Sequence, residues 1–151
     1  MVRDPLLEQI AYKLELNEKG SIEVTPASTR HAFLQAFLAR ELGTLSPDGT
    51  TFTQCPVETE IGVRVPDVAW ASADFIARHG MTTPLPGAPE ICIEVLSPSN
   101  SAVETRDKVA AYLAAGAREV WLVQESGELE ILTAEGRQPA SWLGIKLALP
   151  R

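Results

Sequence analysis

A single acidic residue interrupts an apolar segment in the second half of the chain. Residues 91–96 read ICIEVL, with Glu94 as the one charged member. Apolar residues at both sets of alternating positions predict a strand that is buried on both faces of a sheet. A carboxylate in such a strand loses hydration, which is costly unless the group is paired or bound to a metal ion. Glu94 is therefore a candidate metal ligand, and pairing with a lysine or with backbone amides is the alternative interpretation.

Asp67 is a second candidate ligand. It follows Pro66 and precedes the apolar residues 68–70, so it lies at the start of another apolar segment. Two carboxylates on adjacent strands can share a divalent cation, and Mg²⁺ is typically held by one or two carboxylates together with waters and phosphate. The alternative is structural, because a Pro-Asp pair often begins a turn. Taken together, Asp67 and Glu94 predict a Mg²⁺ or Mn²⁺ site.

Lys108 is the third candidate, and it lies on the helix predicted to follow the Glu94 strand. Ser101 and Glu104 have the spacing of a capping box, which puts Lys108 in the second turn, where it can reach back over the strand end. An ammonium group there could stabilise negative charge on phosphorus or help to activate a water. The alternative is an exposed ion pair between Glu104 and Lys108, one turn apart on the same helix face.

Two further residues carry weaker signals. Glu23 lies between Ile22 and Val24 in a predicted hairpin strand, where an exposed side chain is the simpler interpretation. His31 lies near the start of the first predicted helix, where packing is the simpler interpretation of an imidazole. The sequence leaves both roles open.

Turn residues and apolar spacing predict the elements that position these side chains. Gly20 predicts a hairpin of residues 12–16 and 21–24, and Ser28 predicts the start of a helix that ends at Gly43. The other predicted elements are strands 51–52, 63–70, 91–96, 119–123 and 129–132 and helices 73–78 and 102–115. Strand 91–96, helix 102–115 and strand 119–123 form a βαβ unit, which implies a parallel pair. The predicted class is α/β, on the border of α+β, with a mixed sheet flanked by helices.

Composition predicts one soluble domain over residues 1–151, with 45% apolar and 22% charged residues. The two cysteines are too few for a disulfide framework and favour a reducing cytoplasm. Residues 1–8 resemble no signal peptide, and no apolar run reaches the roughly 20 residues that span a bilayer. The net charge of −7 disfavours tight binding to nucleic acid through phosphate contacts alone. Metal ions bound at carboxylates would supply positive charge of their own.

The end of the sequence is unusually apolar. Residues 142–150 read WLGIKLALP, which has more large side chains than an exposed terminus needs. We expect this segment to form an edge strand or to cover a subunit contact, most simply in a homodimer.

Three segments of the chain resemble the Uma-two type of restriction-endonuclease-like family. They read VPDVA at residues 65–69, EICIEVLSPS at 90–99 and RDKVAAYLAAGAREVWLV at 106–123. Residues 14–28 also resemble the opening hairpin of that family, so the resemblance covers nearly the whole chain. Its most specific part is the EVLSPS run with the lysine, tyrosine, glycine and tryptophan behind it.

The resemblance implies a PD-(D/E)XK nuclease that hydrolyses double-stranded DNA with Mg²⁺ or Mn²⁺. It implies that Asp67 and Glu94 hold the metal ion and that Lys108 completes the catalytic set. In the wider superfamily the lysine lies two positions after the second acid on the same strand, and here that position is Leu96. In the resembling family the lysine has moved to the following helix, where Lys108 matches it.

Two other functions remain open from the sequence. A scaffold or interaction module that has kept the fold without the reaction is favoured by Leu96 and by the net charge of −7. A metal-dependent hydrolase of small phosphoesters is the second, because acidity matters less for a small substrate than for a long polyanion.

Overall fold

A six-stranded mixed sheet forms the centre of the protein in a computed structural model, which describes residues 12–151. The strands are β1 (Tyr12–Leu16), β2 (Ile22–Pro26), β3 (Thr50–Thr53), β4 (Val57–Thr59), β5 (Gly62–Arg64), β6 (Val68–Ala71), β7 (Ile91–Leu96), β8 (Glu119–Gln124), β9 (Leu129–Thr133) and β10 (Gly136–Gln138). The helices are α1 (Thr29–Leu45), α2 (Ala73–His79) and α3 (Ala102–Ala114). Within residues 12–151, no helix is long and apolar enough to cross a bilayer.

The central sheet has the strand order β10-β9-β8-β7-β6-β3. β7 and β8 pair in parallel with α3 between them, as the βαβ pattern predicted, and the other neighbours in this sheet pair antiparallel. β1 with β2 and β4 with β5 form two separate hairpins, the first of which was predicted. The predicted class, a mixed sheet flanked by helices, is confirmed.

The side chains of β7 divide between two apolar cores. Ile93 and Val95 pack with three fully buried leucines of α1, whereas Cys92 and Leu96 pack with side chains of α2 and α3. Because successive side chains of a strand point to opposite faces, Glu94 shares the second face and is directed toward α3. The alternation read from the sequence is therefore confirmed, and it decides which helix meets Glu94.

The predicted strand 63–70 is wrong as a single element. β5 pairs with β4, while β6 pairs with β7 in the central sheet. Pro66, between them, has no N–H and restricts the residue before it, so the ladder is interrupted there. The N–H of Asp67 instead donates to the carbonyl of Ile93 over 2.9 Å. The carbonyl of Asp67 accepts from the N–H of Gln54 over 3.2 Å, so Asp67 lies at the start of β6 with backbone hydrogen bonds on both sides.

The predicted end of α1 at Gly43 is also wrong. The helix continues for two more residues, and the N–H of Ser46 then donates to the carbonyl of Leu42 over 2.9 Å. A glycine inside a helix costs only about 1 kcal/mol relative to alanine. That cost is too small to end a helix whose apolar face is fully buried.

The C-terminal residues 139–151 form no strand, so the predicted edge strand at 142–150 is wrong. Five apolar side chains of this segment pack against the core beneath α1: Trp142, Leu143, Ile145, Leu147 and Leu149. The buried carboxylate of Glu119 anchors the segment by accepting from Ser141 Oγ at 2.7 Å and from the N–H of Trp142 at 2.9 Å. The apolar character that suggested a subunit contact is thus used within the chain.

Candidate active site

Asp67 is buried at the break before β6, with 1% of its surface exposed. Its Oδ2 accepts from the N–H of Val95 at 2.8 Å and lies 3.1 Å from Nε2 of His31. Its Oδ1 accepts from Nε2 of Gln54 at 3.2 Å. Donors from α1, from β7 and from the end of β3 therefore converge on one carboxylate, which offsets the cost of its burial.

Glu94 is held from the opposite side of the sheet by α3. The Tyr112 hydroxyl donates to Oε1 of Glu94 over 2.7 Å, and Nζ of Lys108 lies 3.6 Å from the same oxygen. Lys108 and Tyr112 are four residues apart, so they share one face of the helix. Burial, followed by the negative charge of Glu94, raises the pKa of Tyr112 well above its ordinary value. The phenol therefore remains a hydrogen-bond donor to Glu94.

Within residues 12–151, the closest carboxylate to Lys108 comes from the N-terminal hairpin. Nζ of Lys108 lies 2.8 Å from Oε1 of Glu15, and Oε2 of Glu15 accepts from the N–H of Val65 at 2.7 Å. Glu15 is 5% exposed. Among the described residues, the ion pairs of Lys108 are with Glu15 and Glu94 rather than with Glu104. The surface-pair alternative for Lys108 is therefore wrong, because the side chain extends over the end of β7.

One open cavity of about 710 Å³ brings these residues together. Its walls include all three residues predicted from the sequence, Asp67, Glu94 and Lys108, together with Glu15 and His31. Carboxylates outnumber cationic side chains in its lining. An anionic substrate entering this cavity therefore needs additional positive charge.

The carboxylate oxygens in the cavity are ligands of the type that a hard divalent cation prefers. Asp67 and Glu94 contribute buried carboxylate oxygens to one cavity, and Mg²⁺ is commonly held by one or two carboxylates with waters and phosphate completing its shell. Within residues 12–151, no group of three or more His, Cys, Asp and Glu side chains is arranged to hold a metal ion. The residues therefore fit a cation held by two carboxylates, and they do not form a closed protein cage.

Four residues of the site were not predicted as functional. Glu15 and Gln54 carry no local pattern, because they reach the site only through contacts distant in sequence. Packing was the simpler interpretation of His31 and its role was left open, and its Nε2 lies 3.1 Å from Oδ2 of Asp67. Tyr112 could have been found, because it follows Lys108 by one helical turn. Glu23 lies opposite Glu15 in the hairpin register, and its side chain lies outside the part of the chain that the structure describes.

Comparison with known proteins supports the resemblance seen in the sequence. The family described as Uma2, putative restriction endonuclease, matches residues 5–144. No curated protein matches the chain. The fold is similar to the crystal structure of a putative nuclease belonging to DUF820 from Anabaena variabilis ATCC 29413, with a TM-score of 0.67 and 19% sequence identity over 86% of this chain and 82% of that one. At this identity the neighbour supports the fold, and the match over most of the sequence shows that the chain belongs to the Uma2 putative restriction endonuclease family.

Proposed function

We propose that the protein is a metal-dependent endonuclease of the PD-(D/E)XK type that hydrolyses phosphodiester bonds in DNA. The observation that carries this proposal is the meeting of buried Asp67 and Glu94 in one cavity with Lys108, whose Nζ is 3.6 Å from Glu94. Buried carboxylates next to a lysine are expensive to maintain, and such clusters concentrate at functional sites. Membership of a family described as putative restriction endonucleases supports nuclease chemistry in this cavity.

Asp67 and Glu94 would hold a Mg²⁺ or Mn²⁺ ion through their carboxylate oxygens. When bound, such an ion polarises the phosphate and makes an attacking water more acidic. Tyr112 orients Glu94 through its hydrogen bond, and donors on both oxygens of Asp67 fix that carboxylate. The protein thus contributes two carboxylate ligands that are already oriented before a metal ion binds.

Lys108 would act on the reacting phosphate. Leu96 occupies the strand position where the superfamily places its lysine, and Lys108 brings an ammonium group to the end of the same strand from α3. A cation in this place stabilises charge that develops on the phosphate oxygens, or it orients the attacking water. Its present partner Glu15 keeps it directed into the cavity.

Plasmid cleavage tests the proposal. We expect the protein to nick or linearise a supercoiled plasmid at low salt with Mg²⁺ or Mn²⁺, and not with EDTA. Asp67→Asn and Glu94→Gln should each abolish cleavage, whereas Glu58→Gln, at an exposed position on β4, should cut like the parent. A folded parent that leaves plasmid and single-stranded DNA intact with every metal tested would overturn the proposal.

Metal binding can be tested separately from cleavage. Mn²⁺ should raise the unfolding temperature of the parent, because the ion binds the folded site and not the unfolded chain. Glu94→Gln should lose most of this rise, and Glu58→Gln should keep it. An equal rise in Glu94→Gln would remove Glu94 from the metal site.

The acidity of the chain favours a second candidate, the hydrolysis of small phosphodiesters. The net charge is −7 and the cavity lining is acidic, so a long polyanion meets more repulsion than a small ester does. Hydrolysis of bis(p-nitrophenyl) phosphate without plasmid cleavage would select this candidate. Metal binding without hydrolysis of either substrate would select the scaffold.

We also propose a cellular compartment and an oligomeric state for the enzyme. A cytoplasmic homodimer would present one site to each strand of a duplex. Light scattering at tens of micromolar, with and without a short DNA duplex, tests the dimer, and a monomeric mass in both samples would count against it.

A further inference from the structure

Gln54 has a backbone conformation that side chains normally avoid. Among the described residues other than glycine, it is the one with a positive φ, at 56°. This left-handed conformation brings the Cβ of an L-residue too close to the backbone, so glycine is the usual occupant. The side chain of Gln54 is exposed, so burial in the core does not explain why glutamine occupies this place.

The contacts of Gln54 point instead to Asp67. Its backbone N–H donates to the carbonyl of Asp67 over 3.2 Å. Its side-chain Nε2 donates to Oδ1 of Asp67 over 3.2 Å and to Oε1 of Gln35 over 2.8 Å. Both hydrogens of the amide therefore have acceptors, and Gln35 fixes the amide with its NH₂ group facing Asp67.

Gln54 bonds to a different oxygen of Asp67 from the one that Val95 and His31 approach. Val95 and His31 both approach Oδ2 of Asp67, and the terminal torsion of an aspartate is broad when one oxygen alone is anchored. The Gln54 amide holds the other oxygen. Gln54 lines a shallow groove beside α1 rather than the cavity that contains Glu94 and Lys108. It therefore acts through Asp67 and does not meet a substrate in that cavity.

We infer that Gln54 is a positioning residue that sets the rotation of the Asp67 carboxylate toward a bound divalent cation. This inference rests on the proposed function of the same site. A strained backbone that is maintained beside a buried carboxylate, with its side chain bonded to that carboxylate, is the pattern expected where strain serves a site. Groups that orient a metal ligand typically change metal affinity or activity by about 10- to 100-fold when they are removed.

Gln54→Gly separates positioning from structure. Glycine relieves the left-handed strain, which offsets its own entropy and the lost hydrogen bonds, so we expect the unfolding temperature to stay close to that of the parent. Mn²⁺ affinity, measured by calorimetry, and kcat for plasmid cleavage should both fall by about 10- to 100-fold. KM for the plasmid should be unchanged, because Gln54 lies outside the cavity.

Two further variants complete the experiment. Gln54→Asn tolerates the positive φ but is one methylene shorter, so it should fold and show the same two losses. Gln138→Asn makes the same change at the opposite edge of the sheet, on β10, and should match the parent. If both Gln54 variants bind Mn²⁺ and cleave like the parent, Gln54 is a turn residue only and the inference fails while the nuclease stands. If the parent neither binds Mn²⁺ nor cleaves, the proposed function fails and takes this inference with it.

Discussion

Asp67 and Glu94 reach the same cavity, yet the protein stabilises their charges in different ways. Asp67 is surrounded by donors from the backbone and from polar side chains, including Val95 and Gln54. Glu94 instead has the ammonium group of Lys108 and the hydroxyl of Tyr112. Removing a donor from Asp67 should therefore disturb geometry, whereas removing Lys108 should disturb charge. The two halves of the site can be tested by different variants.

Lys108→Ala tests the charge balance. Lys108 is the cation between Glu15 and Glu94, which are each about 5% exposed. Its loss removes a neutralising charge from beside two buried carboxylates, so we expect the metal-free protein to lose about 3 kcal/mol of unfolding free energy. With Mn²⁺ the loss should shrink, because the metal ion then neutralises the carboxylates, while plasmid cleavage should fall by roughly 100-fold or more.

Lys146→Ala is the control for this experiment, because Lys146 is exposed and its loss should change stability by well under about 1 kcal/mol. Urea unfolding with EDTA and with Mn²⁺ supplies the measurement. A Lys108 variant that is as stable as the Lys146 variant, and that still cleaves, would contradict the role given to Lys108.

Tyr112 predicts a pH dependence in the metal-free protein. Its pKa is raised in the folded state, first by burial and then by the charge of Glu94, so folding favours the protonated phenol. Tyr112 contributes its full share of stability below about pH 10, the unfolded pKa, and loses it as the pH rises toward the folded pKa. Between about pH 9 and pH 11, the unfolding free energy of the parent should therefore fall more steeply than that of Tyr112→Phe. Equal slopes in EDTA for the two proteins would disprove the prediction.

The sequence predicts half of the site because half of it leaves a local pattern. A carboxylate inside ICIEVL and a lysine one turn into the next helix are visible in a short window, as is Asp67 before an apolar segment. Glu15 is 93 residues from Lys108 and bonds to it only through the tertiary fold. Gln54 is recognisable only from its φ and its contacts. No periodicity in the sequence encodes either contact.

At the scale of elements, the sequence predicted helices and strands well where a single force dominates. β7, α3 and β8 combine continuous apolar strands with an N-cap at Ser101, which accepts from the N–H of Glu104 at 3.3 Å, and their predicted bounds hold within a residue or two. The errors lie where forces compete. Pro66 breaks the ladder within an apolar run, and burial carries α1 through Gly43. The tail is apolar enough for a strand but packs as irregular chain on its own core.

Glu15 links the N-terminal hairpin to the site. Glu15 joins β1 to the backbone of Val65 and to Lys108 on α3. Glu15→Gln keeps an acceptor but removes the charge, so we expect the hairpin to lose roughly 1–3 kcal/mol of local stability. Hydrogen exchange of the amides in residues 12–26 should become faster, while exchange in β7 and β8 should not change. Glu58→Gln, on an exposed part of the neighbouring hairpin β4–β5, is the control, and unchanged exchange in the Glu15 variant would show that the charge does not hold β1.

The whole molecule places the site between two layers. α1 contributes His31 on one side of the sheet, and α3 contributes Lys108 and Tyr112 on the other. Both sets meet where β6 begins at Asp67, whose backbone bonds to Ile93 on one side and to Gln54 on the other. This arrangement explains why one cavity contains residues from distant parts of the chain. It also explains why the cavity is acidic, since carboxylates from several elements converge on it.

The acidity predicts how DNA affinity depends on metal. With a net charge of −7, the protein should bind a short duplex only weakly in EDTA, because phosphates meet an acidic surface. Mn²⁺ should strengthen binding by adding positive charge at the site.

Glu94→Gln separates two explanations by the direction in which its DNA affinity changes. If the carboxylate only repels DNA, the variant should bind more tightly than the parent both with and without Mn²⁺. If Glu94 holds the metal ion, the variant should bind at least as well in EDTA but more weakly in Mn²⁺. Fluorescence anisotropy with a duplex that resists hydrolysis measures both cases, and Glu60→Gln, which removes the same charge from an exposed residue, is the control. Tighter binding of Glu94→Gln in Mn²⁺ would contradict a metal ligand at this position.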